Sequence, residues 1–129
     1  MKVGCEERML VTELIEKINR CVEEFDYVRA RKYIEENLEV LEAKKLYLKS
    51  NAREIHKFLS EQLKSGVRPI SRSDLAVINS INAYAYQFDL RGIKVVLRDH
   101  AQLFLKEEAV AYLNSDAKTI LSGMKVING

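Results

Sequence analysis

The chain has 129 residues, 47% hydrophobic and 31% charged, with one proline and five glycines, which bounds it to one domain able to bury roughly two-thirds of the surface its unfolded form exposes. Twenty-one basic residues stand against 19 acidic ones, a formal net charge of +2, so no overall field demands a polyanionic partner. Cys5 and Cys21 have no Cys-x-x-Cys pair or Cys/His cluster beside them, which argues against a structural zinc site or disulfide framework and for a reducing, cytoplasmic setting. Acidic residues in "MKVGCEERML" stand where a secretory signal needs an apolar run, and no stretch approaches the roughly 18 apolar residues of a membrane span.

Every extended segment has helical periodicity. In "ERMLVTELIEKINRCVEEF" the apolar residues Leu14, Ile15, Ile18, Cys21, Val22 and Phe25 recur at three and four positions among Glu, Lys and Arg, predicting an amphipathic helix over about 6–24. Asp26 is placed to cap a second helix with Ala30, Tyr33, Ile34, Leu38 and Leu41 on its inner face; the pattern leaves open whether that helix runs unbroken to residue 49. Asn51 with Glu54 three residues on has capping-box spacing for a helix that buries Ile55, Phe58, Leu59 and Leu63 and stops at Gly66. "GVRPISRS" reads as the one obvious loop, because Pro69 lacks an amide hydrogen and restricts Arg68. Ser71 or Ser73 then caps a helix ending near Phe88. Asp89 begins another, with Ile93, Val96, Leu97, His100, Leu103 and Phe104 on one face and continuing through "KEEAVAYL"; Ser115 or Asp116 starts the last, after which "KVING" is expected to fray.

Shifted by 63 residues, the chain matches itself. "LIEKINRCVEEFD" from Leu14 falls on "VINSINAYAYQFD" from Val77, and beyond the turn Ile34 meets Leu97, Val40 meets Leu103 and Leu41 meets Phe104. A two-residue insertion in the second copy then brings "SNAREI" onto "SDAKTI". Fixed-period self-similarity is the mark of stacked helical units.

The segment "FDYVRARKYIEENLEV" resembles the turn and second helix of a tetratricopeptide repeat, with Ala30 as the small packing residue and Ile34 as the large one, while Asn37 replaces the second small residue. In "FDLRGIKVVL" the small residue, Gly92, comes one position early; the period is near 63 rather than 34, and no proline closes the unit. The resemblance implies helical hairpins of solenoid type and carries over no peptide-binding residue. The expected fold is all-α: five or six antiparallel helices in one domain, as a helical repeat or a bundle of two related units, about 6–65 and 74–126, joined by a loop over 66–73.

The repeat exposes an oddity in "LAVINSINAYAYQF", Leu75 to Phe88, fourteen residues without a charge. Its inward positions Val77, Ile81, Tyr84 and Phe88 answer Leu14, Ile18, Cys21 and Phe25, so the core stripe is kept. On the other side Glu13, Glu16, Lys17, Arg20, Glu23 and Glu24 have become Ala76, Asn79, Ser80, Ala83, Tyr86 and Gln87. Charges are expensive to desolvate, whereas small, amide and phenolic side chains tolerate a packed contact, so this outer face is expected to be covered. Two covers present themselves: the domain's own helices over 52–65 and 90–113, or a partner protein or second copy meeting Asn79, Ala83, Tyr86 and Gln87.

Little in the chain suits a reaction. No Gly-rich phosphate loop, His-Glu-x-x-His or nucleophile elbow is present, His56 and His100 have no second ligand at helical spacing, and His100 falls on the apolar stripe. No catalytic residue, cofactor or metal site is assigned. The second half does carry Arg68, Arg72, Arg91, Lys94 and Arg98, which offers nucleic-acid contacts as the alternative to protein binding.

Overall fold

Each segment with three-to-four-residue apolar periodicity forms a helix. The computed structural model describes residues 10–66 and 68–128, and the regular structure among them is entirely helical. In chain order the α-helices are α1 (Val11–Glu23), α2 (Tyr27–Glu36), α3 (Leu38–Ala43), α4 (Ser50–Ser65), α5 (Arg72–Tyr86), α6 (Leu90–Asp99), α7 (Glu107–Ala111) and α8 (Ser115–Met124). Single 3-10 turns at Lys45–Tyr47 and Leu103–Leu105 precede α4 and α7. Six helices have ten residues or more and two are short, in keeping with an all-α fold of five or six principal helices.

Two turns 63 residues apart have one geometry. Phe25 and Phe88 both adopt left-handed backbone, with φ of 63° and 58°. After α1, the Asp26 N–H donates to Cys21 O at 2.8 Å and the Phe25 N–H to Val22 O at 3.1 Å; after α5, Asp89 N–H donates to Tyr84 O at 2.8 Å and Phe88 N–H to Ala85 O at 3.0 Å. These are Schellman closures with phenylalanine where glycine is usual. The aspartate that follows each one caps the next helix, Asp26 Oδ1 accepting from Arg29 N–H at 3.1 Å and Asp89 Oδ1 from Gly92 N–H at 3.0 Å.

A second matched device fastens the last helix of each half. Asn19 Oδ1 accepts the Lys49 N–H at 2.9 Å while its Nδ2 donates to Tyr47 O at 3.5 Å. Asn82 Oδ1 accepts the Asn114 N–H at 2.9 Å and its Nδ2 donates to Tyr112 O at 3.1 Å. The clamp on Lys49 puts that residue, and not Asn51, at the cap of α4, which already includes Asn51 in its first turn.

The chain is broken where the apolar stripe alone suggested continuity. α2 stops at Asn37, whose Nδ2 turns back to Tyr33 O at 2.8 Å, and the path breaks again at Lys44. α6 stops at His100 rather than running through "KEEAVAYL". Both stops share a φ well outside the helical range, −136° at Asn37 and −134° at His100. The connecting loop is shorter than the 66–73 expected: Ser71 and Asp74 form a reciprocal capping box, so α5 opens at Arg72. Cys5 and the expected helix start at residue 6 lie outside the described residues.

The halves share one core of buried apolar side chains, mostly aliphatic with Phe25, Tyr27 and Phe104 among them. Across the join, the Tyr27 hydroxyl donates to Leu97 O at 3.2 Å, Arg31 Nη1 donates to Leu105 O at 2.9 Å, and the Val28 N–H donates to Lys125 O at 3.0 Å. The last contact corrects the expectation of a frayed tail: Val126 and Ile127 are buried.

Candidate functional site

α5 is set by its capping box at one end and its left-handed Phe88 turn at the other, and it buries Ile78, Ile81 and Ala85 against α6 and α8. With that stripe inward, Asn79, Ala83, Tyr86 and Gln87 point away from the domain, and all four are exposed, Tyr86 at 81%. The domain's own helices therefore do not cover this face, which corrects the expectation of a sandwiched α5. The four residues share one side of the helix at 0, 4, 7 and 8 positions from Asn79.

The polar residues of α5 divide by use. Asn82 is spent on the clamp described above, and the Ser80 hydroxyl donates to Ala76 O at 3.1 Å. Asn79 and Gln87 make no side-chain hydrogen bond with a described residue. Their amides remain available in both donor and acceptor sense.

The face is larger than the sequence suggested. Phe88, expected on the core stripe, is 73% exposed, and Leu90 at the start of α6 is 41% exposed, so both adjoin Tyr86 at the same end of the molecule. Of the other expected core positions, Ile81 is fully buried and Val77 and Tyr84 are only partly buried. The counterpart of Phe88, Phe25, is covered by the second half of the chain, with the Arg98 guanidinium 5.6 Å from its ring centre, and no described residue covers Phe88 in that way.

The basic residues do not converge on one site. Arg91, Lys94 and Arg98 are exposed along one stripe of α6, with Arg98 committed to the Phe25 ring. Arg68 lines a hollow of about 430 Å³ between α4 and the end of α6, where Glu54, Glu61 and Asp74 bring as much negative charge as Arg68, Lys57 and Lys106 bring positive. Arg72 stands at the start of α5.

The titratable groups offer little chemistry. Burial, helped by the Asp26 carboxylate, pushes the Cys21 thiol up, away from the thiolate a nucleophile requires. His100, expected on the apolar stripe, is exposed on the rim of the hollow, whereas His56 is buried with no partner for Nε2 among the described residues. Among the described residues no group of three or more His, Cys, Asp or Glu side chains is arranged to hold a metal ion, and no helix is long and apolar enough to cross a membrane.

The chain matches no family model, no curated protein and no solved structure.

Proposed function

We propose that this chain is a small non-enzymatic protein-binding domain, an adaptor or regulator working in the cytoplasm, that engages its partner through the outer face of α5. The observation that carries the reading is the exposure of a charge-free helical face, Asn79, Ala83, Tyr86 and Gln87, in a chain whose other amphipathic helices surround themselves with charge. A solvent-facing tyrosine flanked by small and amide side chains suits an interface core, from which charge is usually depleted. The architecture proposed for it is a helical repeat of two related hairpins, similar in kind to tetratricopeptide hairpins. The matched Schellman turns, the matched Asn19 and Asn82 clamps, and the complete burial of Ala30 and Ile34 support that part of the reading.

The test is affinity capture from the native host with wild type and Tyr86→Glu side by side. Because Tyr86 is exposed, the variant is expected to keep the helical circular dichroism and the unfolding midpoint of wild type. Loss of a captured protein with the fold intact supports the reading, and capture indifferent to Tyr86→Glu overturns it. The alternative, nucleic-acid association, draws on the exposed Arg91–Lys94 stripe of α6; no binding of duplex or single strands at low salt ends it.

A further inference from the structure

The contact between the two halves leaves both of its complementary surfaces repeated, without a partner, at the ends of the molecule. In the first half the outgoing surface is Phe25, Tyr27 and Arg31; in register, 63 residues on, stand Phe88, Leu90 and Lys94. Phe25 is 8% exposed and Tyr27 fully buried, whereas Phe88 is 73% and Leu90 41% exposed. The receiving surface of the second half, around Leu97, Leu103 and Leu105, has Ile34, Val40 and Glu42 as its counterparts. Leu103 is 5% exposed and Val40 42%. Phe88, Leu90, Val40 and Glu42 are thus exposed where their counterparts are buried, while Ile34 stays fully buried like Leu97.

The two ends also differ in charge. The outgoing end carries Arg91 and Lys94, neither engaged in a hydrogen bond or ion pair with a described residue. The receiving end carries exposed Glu35, Glu39 and Glu42 around Val40. Glu35 pairs with Arg31 at 3.0 Å and Glu42 with Lys45 at 2.9 Å, so an incoming Arg91 or Lys94 would meet Glu39 directly and share the other two carboxylates with those cations. Within the chain, Arg31 Nη1 reaches Leu105 O at 2.9 Å; Lys94 is a donor in the register of Arg31, and Glu42 stands in the register of Leu105. A symmetric dimer through Phe88 would set Arg91 and Lys94 of both copies near one another, while a head-to-tail contact sets them against carboxylates.

We infer that the partner of the Phe88–Leu90–Lys94 end is a second copy of this chain, whose Glu35–Glu42 corner receives it in the way the second half receives the first. The inference deepens the protein-binding reading and rests on it. A heterologous contact of this kind does not close on itself after two copies, so assembly grows with concentration.

Sedimentation from micromolar to millimolar protein, on wild type, Lys94→Glu, Glu42→Lys and their equimolar mixture, tests it. Wild type is expected to pass beyond dimer as concentration rises. Each variant alone is expected to weaken association on the order of tenfold or more, and the mixture to restore it, because the reversed charges again oppose each other. Phe88→Ser checks the apolar part and should weaken association without touching charge. All three positions are exposed, so circular dichroism should show each variant folded. A monomer throughout, a closed dimer indifferent to Glu42→Lys, or a mixture that stays dissociated overturns the inference. Tyr86-dependent capture of another protein by a monomeric chain would overturn this inference alone and leave the protein-binding reading standing.

Discussion

Phe25 and Phe88 hold the same left-handed backbone conformation, with φ of 63° and 58°, yet the first ring is buried and the second lies in solvent. Both pay the strain of a side chain in a conformation that favours glycine, about 1 kcal/mol or more. Only Phe25 recovers it through packing, between Tyr27, whose ring centre is 6.2 Å away, and the Arg98 guanidinium. Phe25→Ala is therefore expected to destabilise the domain by about 3 kcal/mol, in the range for a buried phenylalanine, and Phe88→Ala to stay within about 0.5 kcal/mol of wild type. Urea unfolding followed by circular dichroism measures both. Equal losses at the two sites would contradict the account.

The asparagine clamps give a second paired comparison. Asn82 makes two side-chain bonds of ordinary length to the loop before α8, at 2.9 and 3.1 Å, and also accepts Asn114 Nδ2 on its backbone oxygen at 3.3 Å. Asn19 has one good bond, to Lys49 N–H, and one at the 3.5 Å limit. Asn82→Ala should accordingly lose about 2 kcal/mol and Asn19→Ala about 1 kcal/mol, at roughly one net hydrogen bond's worth each. Asn82→Asp separates the two bonds: it keeps the acceptor for Asn114 but opposes the Tyr112 carbonyl with a carboxylate, so it should fall between wild type and Asn82→Ala. If Asn82→Asp matches wild type, the Tyr112 bond contributes nothing.

The helices and most of their inward stripes were legible because burial follows period: Leu14, Ile18, Ile34, Leu41, Ile81, Ile93 and Leu97 are buried as the spacing predicts, whereas Leu63, expected on the inner face of α4, is exposed and Ile78 takes the inward place expected of Val77. The breaks at Asn37 and His100 were not, because the apolar period continues straight across both and only the clamp and closure contacts reveal why the chain turns. The Asn51–Glu54 spacing misled for a related reason, since the cap of α4 is fixed by Asn19, thirty positions earlier in sequence. Of the candidate face, Asn79, Ala83, Tyr86 and Gln87 could be read from their missing charges. Phe88 could not: composition says an aromatic belongs inside, and whether anything follows to cover it is a property of the tertiary arrangement.

Gly92 occupies the register of Arg29, and Tyr84 that of Cys21, so the larger ring in the second half is matched by a smaller neighbour. A Cβ placed on Gly92 would lie 2.6 Å from Tyr84 Cδ1, too close for any real contact. Overpacking of this kind costs about 1–3 kcal/mol, while alanine gains about 1 kcal/mol of helix propensity over glycine. Gly92→Ala is expected to destabilise by about 1 kcal/mol on balance. In a Tyr84→Cys background the ring is gone and the same change should turn stabilising, so the double-mutant cycle should show a coupling of at least about 1 kcal/mol. Additive effects would mean that Tyr84 simply swings aside.

Tyr27 joins the halves through a hydroxyl that donates to Leu97 O, and that bond requires its proton. Burial raises the Tyr27 pKa above the ordinary 10.0, with the Arg98 charge pulling it back in part. Above about pH 10 the unfolded chain gives up this proton while the folded one keeps it, so the unfolded state binds fewer protons and stability falls as pH rises. The contribution is whole below the unfolded value and is lost as pH climbs toward the folded one, at up to about 1.4 kcal/mol per pH unit. Tyr27→Phe removes both the bond and this dependence. It should be about 1 kcal/mol less stable than wild type near neutral pH, with the gap narrowing steadily from about pH 10 upward. Urea midpoints for the two proteins across neutral and alkaline buffers measure it; a gap that stays constant through the tyrosine range would show that Tyr27 ionises as freely in the folded domain as out of it.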